Sequence, residues 1–72
     1  MHKMKTSKEF IGIQIKMKRQ EKKMTQTQLA NLLFIDRQYV WRLENGKINL
    51  TMNYLDKVLL ALNTTYVDFF KV

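Results

Sequence analysis

Apolar residues recur along this chain at spacings of three and four, in short runs broken by small polar clusters. The clearest run is Met52, Leu55, Val58, Leu59 and Leu62, which fall on one helical face and should point to a core. Thr51 stands just before it as a helix cap, and Asn63 to Thr65 ends it. Further back, Leu29, Ala30 and Leu33 share a face behind Thr25, whose hydroxyl can accept from the amide of Thr27 or Gln28. Gln28 can reach back to complete a capping box. Another short helix is expected from Asp36, with Ile35 just before it and Val40 and Leu43 turned inward, ending at Asn45-Gly46. After Tyr66 the chain has room for a turn or two of helix carrying Val67, Phe69 and Phe70.

The first element, from about Lys8 to Lys22, carries two competing patterns. Ile11, Ile13, Ile15 and Met17 alternate as in a strand, whereas Phe10, Ile11, Gln14, Ile15 and Lys18 follow helical spacing less cleanly. Helix is the better reading. No partner strand exists elsewhere, KMKRQEKK consists of good helix formers, and Ser7 offers an N-cap. That choice sends Phe10, Ile11 and Ile15 inward and leaves Ile13 and Met17 partly exposed. Residues 1–7 are polar, basic and aperiodic, so they read as a flexible tail before a single domain over 8–72.

Composition narrows the picture. Seventy-two residues, 46% of them hydrophobic, suffice for one small core. There is no cysteine, which excludes disulfides and thiolate metal sites and fits a reducing, cytoplasmic setting. The single histidine, His2, lies in the tail, and the carboxylates are scattered, so neither a metal site, a cofactor site nor an acid–base pair is expected, and enzyme function is disfavoured. No apolar run approaches the roughly 20 residues that span a bilayer, and no signal peptide is visible. Thirteen Lys and Arg against six Asp and Glu give a net charge of +7, which attracts polyanions.

The chemistry gathers on the helix after Asp36. Arg37, Gln38, Trp41 and Arg42 are spaced to share one face, opposite Val40 and Leu43. A helix fits the major groove of B-DNA, where Arg reads guanine O6 and N7 and Gln reads adenine N6 and N7, each with two parallel bonds. These four residues are therefore candidates for base reading in double-stranded DNA. Trp41 could meet thymine methyls or a sugar edge, or could pack on the stem of a neighbouring lysine or arginine. Gln26 stands at the start of its helix, where free amides can hold a phosphate. Tyr39, Asn45 and Lys47 flank the reading face and could do the same. The competing reading of Arg37, Gln38 and Arg42 is an ordinary solvated face. Glu44 is read as structural, paired with Arg19 or Arg42.

TQTQLANLL followed by DRQYVWRLENGK resembles the helix-turn-helix of the phage-repressor, or Cro/cI-type, family of regulators. The resemblance extends from about Phe10 to Phe70. It implies an all-α, compact five-helix, lambda-repressor-like DNA-binding domain with the motif at helices 2 and 3. It further implies that Gln26 binds phosphate, that Arg37, Gln38, Trp41 and Arg42 lie where family members read bases, and that Asn45 and Lys47 lie by the backbone. Ile35 to Val40, Glu44 and Asn49-Leu50-Thr51 are more narrowly similar to the controller proteins of restriction–modification systems. Those are small homodimeric regulators that bind short palindromes near their own promoters.

Three departures stand out. The family usually has glycine where this chain has Lys23 and Phe34, and often proline where it has Leu50. If Phe34 is left-handed, the strain is roughly 1 kcal/mol or more, so either the turn is reshaped or the ring gains compensating burial. One recognition helix reads only a few base pairs, so family members usually dimerise. Leu60 lies off the core face, and Tyr54, Val67, Phe69, Phe70 and Val72 are more than one small core needs. Leu60, Val67 and Phe70 are the candidate interface, with Phe69 or Tyr66 inside. The function expected is a sequence-specific regulator that binds a palindromic operator as a homodimer, with a restriction–modification operon as one setting for it. The alternative is an antitoxin-type DNA-binding protein that also neutralises a partner toxin.

Overall fold

A computed structural model of the chain describes residues 6–71, and among these all regular structure is helical. The helices are α1 (Ser7–Glu21), α2 (Gln26–Leu33), α3 (Arg37–Glu44), α4 (Met52–Ala61) and α5 (Tyr66–Phe70). Each begins on a side chain that accepts from the amide three residues on: Thr6 from Glu9, Thr25 from Gln28, Asp36 from Tyr39, Thr51 from Tyr54 and Thr65 from Asp68. Gln28 completes the expected capping box with Thr25. The first cap is Thr6, not Ser7, because Glu9 forms a capping box with Thr6; Ser7 is already helical. The tail expected over 1–7 therefore gives up Thr6 and Ser7 to the domain, and residues 1–5, His2 included, lie outside the described residues, as does Val72.

The first four helices stop in one way. After each, a residue with positive φ turns the chain: Lys23 (57°), Phe34 (58°), Gly46 (69°) and Asn63 (52°). The amide of that residue and the next then bond back into the last turn, as Phe34 N–H to the Asn31 carbonyl and Ile35 N–H to that of Ala30. Phe34 neither reshapes the turn nor gains burial, contrary to both expectations: it sits at φ 58°, ψ 42° and is 94% exposed. The compensation lies next door. Ile35, the residue that follows, packs against the core, and the two backbone bonds fix the turn.

Ile11, Ile15, Leu29, Ala30, Val40, Leu43, Leu55, Val58, Leu59, Leu62 and Phe69 make the core. Each fully buried aliphatic or aromatic side chain contributes about 1.5–3 kcal/mol through burial. The helical reading of α1 holds: Ile11 and Ile15 are buried, whereas Ile13 and Met17 are exposed. Met52 is a correction. It has the right spacing but is the first residue of α4 and stands beyond the edge of the core, 66% exposed. Phe69 takes the inner place and Tyr66 the outer one.

Two α1 residues that the hydrophobic pattern does not mark hold the helices together. Gly12 lets α1 lie directly on the end of α3; a Cβ there would come within 2.5 Å of the Leu43 carbonyl oxygen and 2.7 Å of that of Glu44. Buried Gln14 donates from Nε2 to the Phe69 carbonyl (2.7 Å) and to that of Lys71 (3.3 Å), tying down the end of α5.

Candidate nucleic-acid interface

Helix α3 is anchored by its back and presents its front. Val40 and Leu43 are buried, while Arg37, Gln38, Trp41 and Arg42 are exposed and together line a shallow hollow. The structure thus brings the four candidate base readers onto one surface, as their spacing predicts. Trp41 keeps 47% of its surface exposed in this hollow, which Arg37 and Arg42 also line. The only acidic residue of the helix itself, Glu44, is turned inward, so no carboxylate from α3 opposes a polyanion here.

Glu44 settles one of the pairings left open. Its partner is Arg19: Arg19 Nε donates to Oε2 at 2.5 Å and Nη2 to Oε1 at 3.1 Å, and Arg19 Nη1 donates to the Met24 carbonyl at 2.8 Å. Both residues are buried, so each charge needs the other. Glu44 Oε1 also accepts from Gln26 Nε2 at 3.0 Å, and Gln26 Oε1 accepts from Arg37 Nη1 at 3.1 Å. Gln26, a candidate phosphate ligand, therefore stands between a buried ion pair and a candidate base reader.

The remaining candidates flank the face in different ways. Asn45 donates from Nδ2 to the Trp41 carbonyl at 2.8 Å, so its side chain closes the last turn of α3. Lys47 is exposed just beyond that turn, with its backbone amide bonded to the Arg42 carbonyl. Tyr39 is half-buried, its ring edge-on to Tyr54 with centroids 6.3 Å apart. Burial, and then the neighbouring Tyr39, pushes the Tyr54 phenol above its ordinary value. The Tyr66 phenol is also raised, by its hydrogen bond to Asp56 first and by burial next.

The interface candidates on the far side are unequal. Leu60 and Val67 are 82% and 75% exposed, but Phe70 is stacked between Phe10 and Tyr66 at centroid distances of 6.4 and 6.3 Å. Leu32 and Phe34 add exposed apolar surface that meets Leu60 across a groove. Spacing had not marked that groove, because Phe34 was expected to fold inward or reshape its turn. Among the described residues no group of three or more His, Asp or Glu could hold a metal ion, and no helix is long and apolar enough to cross a membrane.

Comparison with known proteins covers most of the chain. A family profile described as helix-turn-helix matches residues 15–69. The restriction–modification controller protein C.Esp1396I, solved as a tetramer with its natural 35-base-pair operator, is 32% identical. The match covers 94% of this chain and 90% of that one, with a TM-score of 0.82. The controller protein C.AhdI from Aeromonas hydrophila is 29% identical over 86% of this chain and 94% of that one, with a TM-score of 0.77. The clp gene regulator ClgR from Corynebacterium glutamicum shares the fold, with a TM-score of 0.88, covering 96% of this chain and 88% of that one at 23% identity. No curated protein matches the chain by sequence.

Proposed function

The chain belongs to the Cro/cI-type helix-turn-helix family of DNA-binding transcription regulators, and we propose that it acts as a homodimer on a short palindromic operator. In this reading Arg37, Gln38, Trp41 and Arg42 read base edges in the major groove. Gln26, through the free backbone amide at the start of α2, and Tyr39, Asn45 and Lys47 contact the phosphates that fix the helix in register. The observation that carries the proposal is the division of α3 into a locked back, Val40 and Leu43, and an exposed front made of two guanidiniums, an amide and an indole. The excess of positive charge over the whole chain supplies attraction to any duplex, and that front supplies the discrimination.

The similarity to controller proteins of restriction–modification systems supports a finer assignment: control of such an operon, with the operator near the protein's own promoter. The protein then acts in the cytoplasm, and its level and its dimerisation set occupancy.

Selection of bound sequences from random duplex DNA tests the proposal. A palindromic consensus whose binding survives excess competitor DNA at moderate salt is the expected result. Recovery of no consensus, with binding that collapses steeply as salt rises, would mean charge attraction alone.

A further inference from the structure

Resting on the base-reading role of α3, we infer that Glu44 is a positioning residue for specificity, acting on Arg37 through the side-chain amide of Gln26. A buried carboxylate can only accept hydrogen bonds. Glu44 Oε1 is turned toward Gln26 and takes its Nε2 at 3.0 Å, so the NH2 end of that amide is drawn inward and the oxygen is left facing out. That oxygen is what Arg37 finds: Nη1 donates to Gln26 Oε1 at 3.1 Å. With the amide reversed, an NH2 group would face the guanidinium and the contact would be lost.

The relay has a fixed origin. Arg19 and Glu44 are 7% and 6% exposed, and the Arg19 guanidinium is held at Nε, Nη1 and Nη2 by Glu44 and the Met24 carbonyl. The carboxylate therefore cannot turn away from Gln26 without breaking a buried ion pair. Polarity passes from α1 to the end of α3, across to the first residue of α2, and back to the first residue of α3. Arg37, although exposed, is tethered at one nitrogen. Its Nε–Nη2 edge stays free, and that edge is one of the two that can pair with guanine O6 and N7. A side chain already tethered has less freedom to lose on binding, which is worth roughly a 2–12-fold gain for one long side chain.

The test compares the wild-type protein with two variants on random duplex DNA and on the selected site. One is Gln26→Leu, which leaves the Arg19–Glu44 pair in place. The other is the double replacement Arg19→Met with Glu44→Gln, which removes the buried charges together and leaves an amide that can either donate or accept. Each is also combined with Arg37→Ala in a double-mutant cycle, and folding is followed by thermal melting. The expected result is a roughly 2–12-fold loss of preference at the base pair that Arg37→Ala relaxes. The loss should vanish on the Arg37→Ala background. Because Gln26 is also placed at a phosphate, where leucine would set an apolar side chain, Gln26→Leu should lower binding to every sequence as well; unchanged preference at that base pair, or a loss of preference that adds to that of Arg37→Ala, would reduce the relay to fold maintenance and overturn the inference. If the double replacement does not fold, Gln26→Leu decides alone. A wild-type protein that selects no sequence overturns the DNA-reading role itself, a failure distinct from unchanged base preference in the variants.

Discussion

Arg37 and Lys47 carry the same charge, and the proposed function gives them different work. Arg37 belongs to the exposed front of α3, whereas Lys47 lies past its end, beside the last turn. Arg37→Ala should weaken binding to the selected site by about 1–3 kcal/mol and relax preference at one base pair. Lys47→Ala should weaken binding to every sequence by a similar factor and lower the salt slope by about one. Fluorescence anisotropy over a salt series separates the two, and equal losses on all sequences for Arg37→Ala would make it a phosphate contact. Phe34 makes a prediction about stability instead. Its backbone is left-handed, which crowds Cβ against the carbonyl, while its ring is 94% exposed. Phe34→Gly relieves about 1–2 kcal/mol of strain and gives back about 0.4–1 kcal/mol through the freer unfolded chain. The melting temperature should hold or rise by a few degrees; a clear fall would show that the ring is needed. The caps at Thr25, Asp36 and Thr51 were legible because a cap depends on its own residue type and a local amide. Phe34 was not, because glycine's usual place in such a turn says nothing of where a replacement ring will go.

At the scale of the element, α1 sets the height at which α3 is presented. Gly12 allows backbone-to-backbone contact with the end of α3, and the Arg19–Glu44 pair crosses the same junction. Gly12→Ala would gain about 1 kcal/mol of helix propensity. The new methyl would meet carbonyl oxygens that belong to α3 itself and cannot rotate aside. We therefore expect a net destabilisation of about 1–3 kcal/mol from overpacking, with specific DNA binding falling further than non-specific binding because α3 is displaced. Thermal melting and competition binding measure both; a raised melting temperature would mean that α1 simply slides off. The same junction explains what spacing could reveal. The face of α1 was readable from Ile11 and Ile15 once helix was preferred to strand, since those two are buried whatever lies opposite. Gly12 and Gln14 serve contacts with α3 and α5, and no local pattern announces a long-range partner. Met52 errs in the other direction: periodicity assigns a face, but not where the core ends along it.

For the whole molecule, the proposed palindromic operator is longer than one recognition helix of a domain measuring 39 × 24 × 23 Å can read. Two copies related by a two-fold axis would present their α3 helices to successive major grooves, about 34 Å apart. A self-complementary apolar surface away from α3 is needed for that, and Leu60 and Val67, 82% and 75% exposed, are candidates for it. Phe70 is a weaker candidate than its aromatic character suggests, because its ring already stacks on Phe10 and Tyr66 within one protomer. Placing a carboxylate in a dimer core leaves it buried and unpaired, at a cost of several kcal/mol per protomer. Leu60→Glu and Val67→Glu should therefore each halve the sedimenting mass at micromolar concentration while leaving the monomer folded. Affinity for the full palindrome should fall by about 100-fold or more, because one half-site carries too few base contacts. Phe70→Ala should lower the melting temperature more than it alters the mass. An unchanged mass for both glutamate variants would remove Leu60 and Val67 from the interface. It would exclude with them the groove that Leu60 lines opposite Phe34.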